Sequence, residues 1–306
     1  MEPDHRVPGP GRRGLAWAAT AAAGLVLALV PAAVPAAGTT APGVRQAAPA
    51  VRGPLAGKVI GIDPGHNGLN YTSPAFLNHK VWNGRELEGC DTTGTQTAGG
   101  YTEARFNWNV ATYLRADLTA MGARVVMTRS GNHGLGPCVD KRARILNRAH
   151  ANVSIDIHAD YGPPAGRGFT VLDPVADGPN DKVISSSARF GRDVHAMMLK
   201  DTRMQVSDYY GRNGYISRND LAGLNLTTMP KVLVETGNMH NAADAALLVR
   251  PGVQRSIATA LAAAIARWTF AVTSSAASAA LFMLPVSTRT FGIVVRFRPA
   301  RSFRLM

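Results

Sequence analysis

The stretch KVIGIDPGH, Lys58 to His66, decides how the rest of the chain is read. Val59, Ile60 and Ile62 form a short β-branched run of the kind found in strands covered on both faces. Pro64 has no N–H for a ladder and Gly65 accepts left-handed φ, so the strand stops there and the backbone turns. His66 is thereby delivered to the carboxyl edge of a strand, which is where open α/β sheets bind ligands. Asp63 has two readings, one as the start of an Asp-Pro-Gly turn and one as a hydrogen-bonding partner that orients His66.

Outward from this strand, helical and strand patterns alternate. Phe106, Val110, Tyr113, Leu114 and Leu118 share one face of a helix over Glu103 to Met121, with Thr102 as its N-cap and Gly122 as its stop. RVVMT from Arg124 reads as a second strand, Val139 to Ala149 as a helix, and VSIDI from Val153 as a third strand that ends at His158. A fourth strand over Gly168 to Leu172 precedes a helix over Ser185 to Lys200. KVLVE from Lys231 is the last core strand, with a helical pair through Phe270 after it. This order predicts one α/β domain of three layers: a twisted, mostly parallel sheet of about six strands with helices on both faces. Two stretches lack periodicity, Asn67 to Gly100 and Val206 to Met229, and loops of that length inside a domain are usually functional.

The ends differ from the middle. Arg12 and Arg13 precede the apolar segment LAWAATAAAGLVLALV, and small residues follow at Ala36 and Ala37, so residues 1–37 read as a signal peptide. An uncleaved membrane anchor is the rival reading, and cleavage would leave no stable membrane association. Residues 38–56 are rich in Pro, Ala, Gly and Thr and read as a disordered linker. Residues 57–270 are the expected catalytic domain and residues 271–306 a basic, disordered tail with five Arg and no acid. Of the +13 formal charge, +1 lies in the first segment and +5 in the last, which leaves +7 in between. A moderately basic exported domain suits an anionic polymer. No basic helix or strand studded with aromatic residues favours nucleic acid, so none is expected as a partner. Cys90 and Cys138 are the only two cysteines, too few for a zinc site, and in an exported chain they are expected to form a disulfide.

Three donors stand where strands meet loops. His66 ends the first strand, His158 ends the third, and Glu103 opens the helix after the long loop. Two imidazoles and a carboxylate are a recurrent protein ligand set for one catalytic Zn2+ ion. Taken singly, each histidine reads equally as a capped or surface residue. Glu235, at the end of the apolar run VLV, is placed to act as a proton acceptor, and its other reading is a carboxylate capping the next helix. His79, His133, His150, His195 and His240 lack a strand-end setting and are left outside the site.

GIDPGHNG at 61–68, TEARFNWNVATYLRADL from Thr102, SIDIHAD from Ser154 and VLVETGNMHNAADAALL from Val232 together resemble the signature blocks of zinc-dependent N-acetylmuramoyl-L-alanine amidases of the Amidase_3 type. The likeness runs from Lys58 to about Trp268 and is nearest to the small single-domain mycobacterial and actinobacterial members, which carry a similar cysteine pair. It implies that His66, Glu103 and His158 hold the metal and that Glu235 is the catalytic glutamate. The implied reaction is hydrolysis of the amide between N-acetylmuramic acid and L-alanine in peptidoglycan or its muropeptide fragments, and the chain is separately expected to be secreted and monomeric. A non-catalytic wall-binding module and a zinc carboxypeptidase acting on the peptide stem are the alternatives. SRNDLAGLNL from Ser217 resembles a loop of the same family, and Arg218, Asp220 and Asn225 in it are candidates for contacts with the stem. No wall-binding repeat is evident, which points toward soluble fragments as substrates.

Overall fold

Strand β1 (Val59–Pro64) lies inside a six-stranded sheet, as its unbroken apolar run requires. The computed structural model describes residues 53–282. The expected signal peptide, most of the linker and the end of the basic tail lie outside the described residues.

From β1 the chain enters the long loop, which carries a four-residue helix α1 (Pro74–Leu77) and a small antiparallel hairpin of β2 (Lys80–Trp82) and β3 (Leu87–Gly89). Helix α2 (Glu103–Ala120) leads to β4 (Arg124–Met127), and α3 (Val139–Arg148) leads to β5 (Val153–Asp160). Then come β6 (Thr170–Pro174), α4 (Ile184–Asp201), β7 (Tyr215–Arg218) and α5 (Ala222–Asn225). The chain continues through β8 (Lys231–Asn238), α6 (Ala242–Leu248) and α7 (Pro251–Phe282). The sheet order is β4-β1-β5-β8-β6-β7. Strands β4, β1, β5 and β8 run parallel, β6 is antiparallel to β8, and β7 is parallel to β6.

Alternation along the strands sorts the helices into two layers, because successive side chains point to opposite faces. Ile60, Ile62, Val232 and Val234 pack in one core with Phe106, Val110, Leu114 and Leu118 of α2, Phe190 and Val194 of α4, and Ile257, Leu261 and Ile265 of α7. Each of these side chains is fully buried. Burying one contributes about 2 kcal/mol relative to leaving it in water. On the other face, Val59 meets Leu146 of α3, and Leu233 meets Leu224 of α5.

Several boundaries differ from those expected. Strand β7 and helix α5 lie in the second aperiodic stretch, where Gly and Tyr obscure the period. Strand β8 continues through Thr236 and Gly237 to Asn238, and α7 crosses position 270 to end at Phe282. Thr102 caps α2 by accepting a hydrogen bond from the Arg105 amide. The disulfide Cys90–Cys138 forms, and Val81 of the hairpin packs beside it. It ties the loop after β1 to the start of α3, and closing a segment of 48 residues stabilises the fold by about 4 kcal/mol on the chain-entropy model. Among the described residues no helix is long and apolar enough to cross a membrane.

Candidate active site

His66, Glu103 and His158 meet at the carboxyl edge of the sheet, with one ligand atom from each lying within 4.8 Å of the others. Glu103 is the first residue of α2 and is 3% exposed, and the N-terminal end of a helix favours a carboxylate there. Its two oxygens divide between the imidazoles: Oε2 lies 3.1 Å from His66 Nε2 and Oε1 lies 2.8 Å from His158 Nδ1. The backbone amides of Thr95 and Ala159 and the side chain of Asn107 donate to the same carboxylate and hold it in place.

The outer nitrogens also face carboxylates. His66 Nδ1 is 3.0 Å from Asp91 Oδ1, and His158 Nε2 is 3.4 Å from Asp156 Oδ1. An acid behind each imidazole fixes the ring and raises its basicity, as is usual for metal-binding histidines. The rings stand at 87° to each other with centroids 4.8 Å apart. Burial opposes a charge on His66, yet Glu103 and Asp91 outweigh it and hold the imidazole up at about 9. Burial likewise opposes a charge on His158, while Asp156 and Glu103 hold it well above its ordinary value. Burial would raise Glu103, but the two histidines keep it well below the carboxylate range. The site is thus a buried sink for positive charge, built from donors that suit a divalent metal such as zinc.

The backbone is shaped around this cluster. His66 itself adopts φ 58°, a left-handed conformation that costs a non-glycine residue about 1–2 kcal/mol. Arg142 Nη2 donates to the His66 carbonyl at 2.7 Å and stabilises the turn. A Cβ on Gly65 would stand 2.2 Å from the His158 ring, so only glycine lets the two imidazoles approach. Beneath them, Asp63 accepts from Thr128 Oγ1 at 2.6 Å, Arg142 Nη1 at 2.9 Å and Lys231 Nζ at 2.8 Å. It does not reach His66. The side chain that touches His66 is Asp91, so the orienting role considered for Asp63 falls to a residue of the long loop.

Glu235 sits opposite His158 in the register of β5 and β8. Its Oε2 is buried with no hydrogen-bond partner. Burial pushes this carboxyl up, His158 opposes the rise, and Glu103 and Asp160 add to it, for a value of about 8. His66, Glu103, His158 and Glu235 line one cleft of about 1220 Å³, together with Arg218, Tyr161 and His240. Arg218 pairs with Asp220 and with the Tyr210 hydroxyl. Asn225 is fully buried and donates to the carbonyls of Asn83 and Asn219, so it braces a loop and does not face the cleft. His240, outside the site expected from sequence, follows β8, which runs to Asn238 and carries it to the same rim.

Asp91, Asp156, Arg142 and Lys231 were not singled out from the sequence. Asp156 carried a signal, since an acid two residues before His158 in an apolar strand must share its face. Lys231, four residues before Glu235 along β8, shares its face by the same alternation. Asp91 and Arg142 had none beyond closeness to the cysteines.

The site thus joins three donors that could hold a cation to a glutamate with a buried, unpartnered oxygen. Residues 60–267 match the family model described as Amidase_3, N-acetylmuramoyl-L-alanine amidase. The chain belongs to this family of cell-wall hydrolases. It is 40% identical over 219 residues to an N-acetylmuramoyl-L-alanine amidase of Mycobacterium tuberculosis, a match covering 69% of this chain and 86% of that protein. A germination-specific N-acetylmuramoyl-L-alanine amidase of Bacillus subtilis is 26% identical over 230 residues, covering 70% of this chain and 81% of that one. Among solved structures, the apo amidase Ami1 of Mycobacterium abscessus superposes with a TM-score of 0.66 at 39% identity, covering 70% of this chain and 100% of its own.

Proposed function

We propose that the protein is an exported, zinc-dependent amidase that hydrolyses the bond between the lactyl group of N-acetylmuramic acid and the L-alanine of the peptide stem. In this reading His66, Glu103 and His158 hold one zinc ion and Glu235 moves the proton. The observation that carries it is the buried, unpartnered Oε2 of Glu235 in the cleft that the three donors share. A carboxylate oxygen left without a donor is poised to take a proton from water, and the burial of that oxygen raises its basicity.

Zinc would supply Lewis acidity at the amide carbonyl and make water a better nucleophile near neutral pH. The rest belongs to the chain. Glu235 Oε2 accepts the proton of the attacking water and returns it to the departing L-alanine amine, so one carboxylate serves both halves of the reaction. Asp91 and Asp156 keep the imidazoles turned toward Glu103, and Arg142 holds the His66 backbone. Arg218, paired with Asp220, offers its remaining N–H groups to the carboxylates of a stem. The export pattern of residues 1–37 and the family's activity on peptidoglycan support a position outside the cytoplasm.

Incubating the chain with a defined muropeptide, with and without a chelator, and weighing the products tests this reading. The expected result is an intact stem with a free L-alanine amine, formed only without chelator. Release of a terminal D-alanine would identify a carboxypeptidase, and binding without turnover a wall-binding module.

A further inference from the structure

Beyond the strand edge that carries His158, the chain places an exposed aromatic pair at the rim of the cleft. Tyr161 is 58% exposed, yet its ring lies flat on His240, with centroids 4.1 Å apart and planes 8° from parallel. The pair is held from both strands. His240 Nδ1 lies 2.9 Å from the Gly162 carbonyl, and Asn238 Oδ1 accepts from the amides of both Gly162 and His240. Asp160 Oδ1 accepts from the Tyr161 amide at 2.8 Å. A tyrosine so fixed and so exposed covers no core. It presents a rigid apolar face to whatever enters the cleft, at little further cost in side-chain entropy.

We infer that Tyr161, backed by His240, is a stacking platform for the pyranose ring of the muramoyl group. This assignment rests on the amidase reading and names the part of the substrate that this rim of the cleft receives. The charge beside the pair selects among the parts of the substrate. Asp160 adjoins Tyr161 and repels the carboxylates of a peptide stem, and the Arg218 guanidinium in the same cleft is already paired with Asp220. The sugar is the uncharged portion of the substrate, and its axial C–H bonds form an apolar face that suits the negative face of an aromatic ring. The sugar therefore seats on Tyr161, and the anionic stem extends away from Asp160.

The test compares two substrates of the full chain: a muramoyl stem peptide, and the same peptide bearing only a lactyl group in place of the sugar. Wild type is expected to prefer the muramoyl compound, and Tyr161→Leu to reduce that preference in kcat/KM about tenfold, mostly through KM. Tyr161→Phe, which keeps the ring, should keep the preference. Saturation-transfer NMR with the methylamide of N-acetylmuramic acid, which carries no carboxylate, should show contacts at the ring protons that Tyr161→Leu removes. An unchanged preference in Tyr161→Leu, or saturation transfer indifferent to that substitution, overturns the platform. Tyr161-dependent saturation transfer in a wild type that cleaves neither compound would overturn the amidase reading and uphold the platform.

Discussion

Two walls of the cleft handle buried carboxylates in opposite ways. Under His66 and His158, Asp63 has both oxygens partnered by Thr128, Arg142 and Lys231, and Asp91 has both partnered by His66, Thr92 and Asn67. Across from them, Glu235 Oε2 has no partner. The first wall uses burial to make charges rigid. The second leaves a carboxylate unsatisfied, which destabilises its ionised form and makes it ready for a proton. The contrast teaches that acids facing a donor or cation hold geometry here, Asp156 through the His158 imidazole 3.4 Å from its Oδ1, while Glu235 Oε2 is left available for chemistry.

If that division holds, substitutions on the two walls separate activity from stability. The largest effect is expected at Glu235→Gln, which should lose about 10³-fold in turnover while keeping its metal content and its melting temperature. Metal analysis of the purified variant checks this, and loss of zinc would exchange the roles of Glu103 and Glu235. Lys231→Met removes the cation shared by Asp63 and Asp156 from a position 1% exposed, and should cost about 3 kcal/mol in denaturant unfolding. A variant as stable as wild type would show that the charged wall braces nothing.

The smallest effect concerns acid. Burial opposes ionisation of Asp63, but Lys231 and Arg142 hold its carboxyl well below the usual range. The unfolded chain therefore takes up this proton first as pH falls. The stabilisation is complete above about pH 4 and drains away below it. Lys231→Met brings the folded value back toward the unfolded one, so its stability should fall less steeply than wild type between pH 4 and pH 2.5. Equal slopes in urea titrations at a series of pH values would count against the pairing.

Much of this molecule was legible in the sequence. The β-branched run at Val59, the four-residue spacing from Phe106 to Leu118 and the strand VLV before Glu235 each report a local period, and each became the expected element. The meeting of His66 and His158 was legible too, because strand ends in an α/β sheet share an edge, and Glu103 joins them from the start of α2. Strand β7 was hidden by its short length, and the bracing acids by their distance. Lys231 and Asp63 pair across 168 residues, and neither side chain has a sequence neighbour that predicts the other. Arg218, Asp220 and Asn225 share one loop motif, yet only Arg218 lines the cleft, since the turn of α5 directs Asn225 into the interior.

The sequence by itself determined the layered α/β plan and the edge on which His66, Glu103, His158 and Glu235 would fall, because side-chain period and strand punctuation are properties of neighbours along the chain. Only the tertiary structure decided that Asp91, not Asp63, supports His66, and that Glu235 Oε2 lacks a partner. It likewise brought Tyr161 and His240 into a stack. Each of these depends on which distant side chains compete for the same few ångströms, and that competition is settled only when the sheet and its loops have packed.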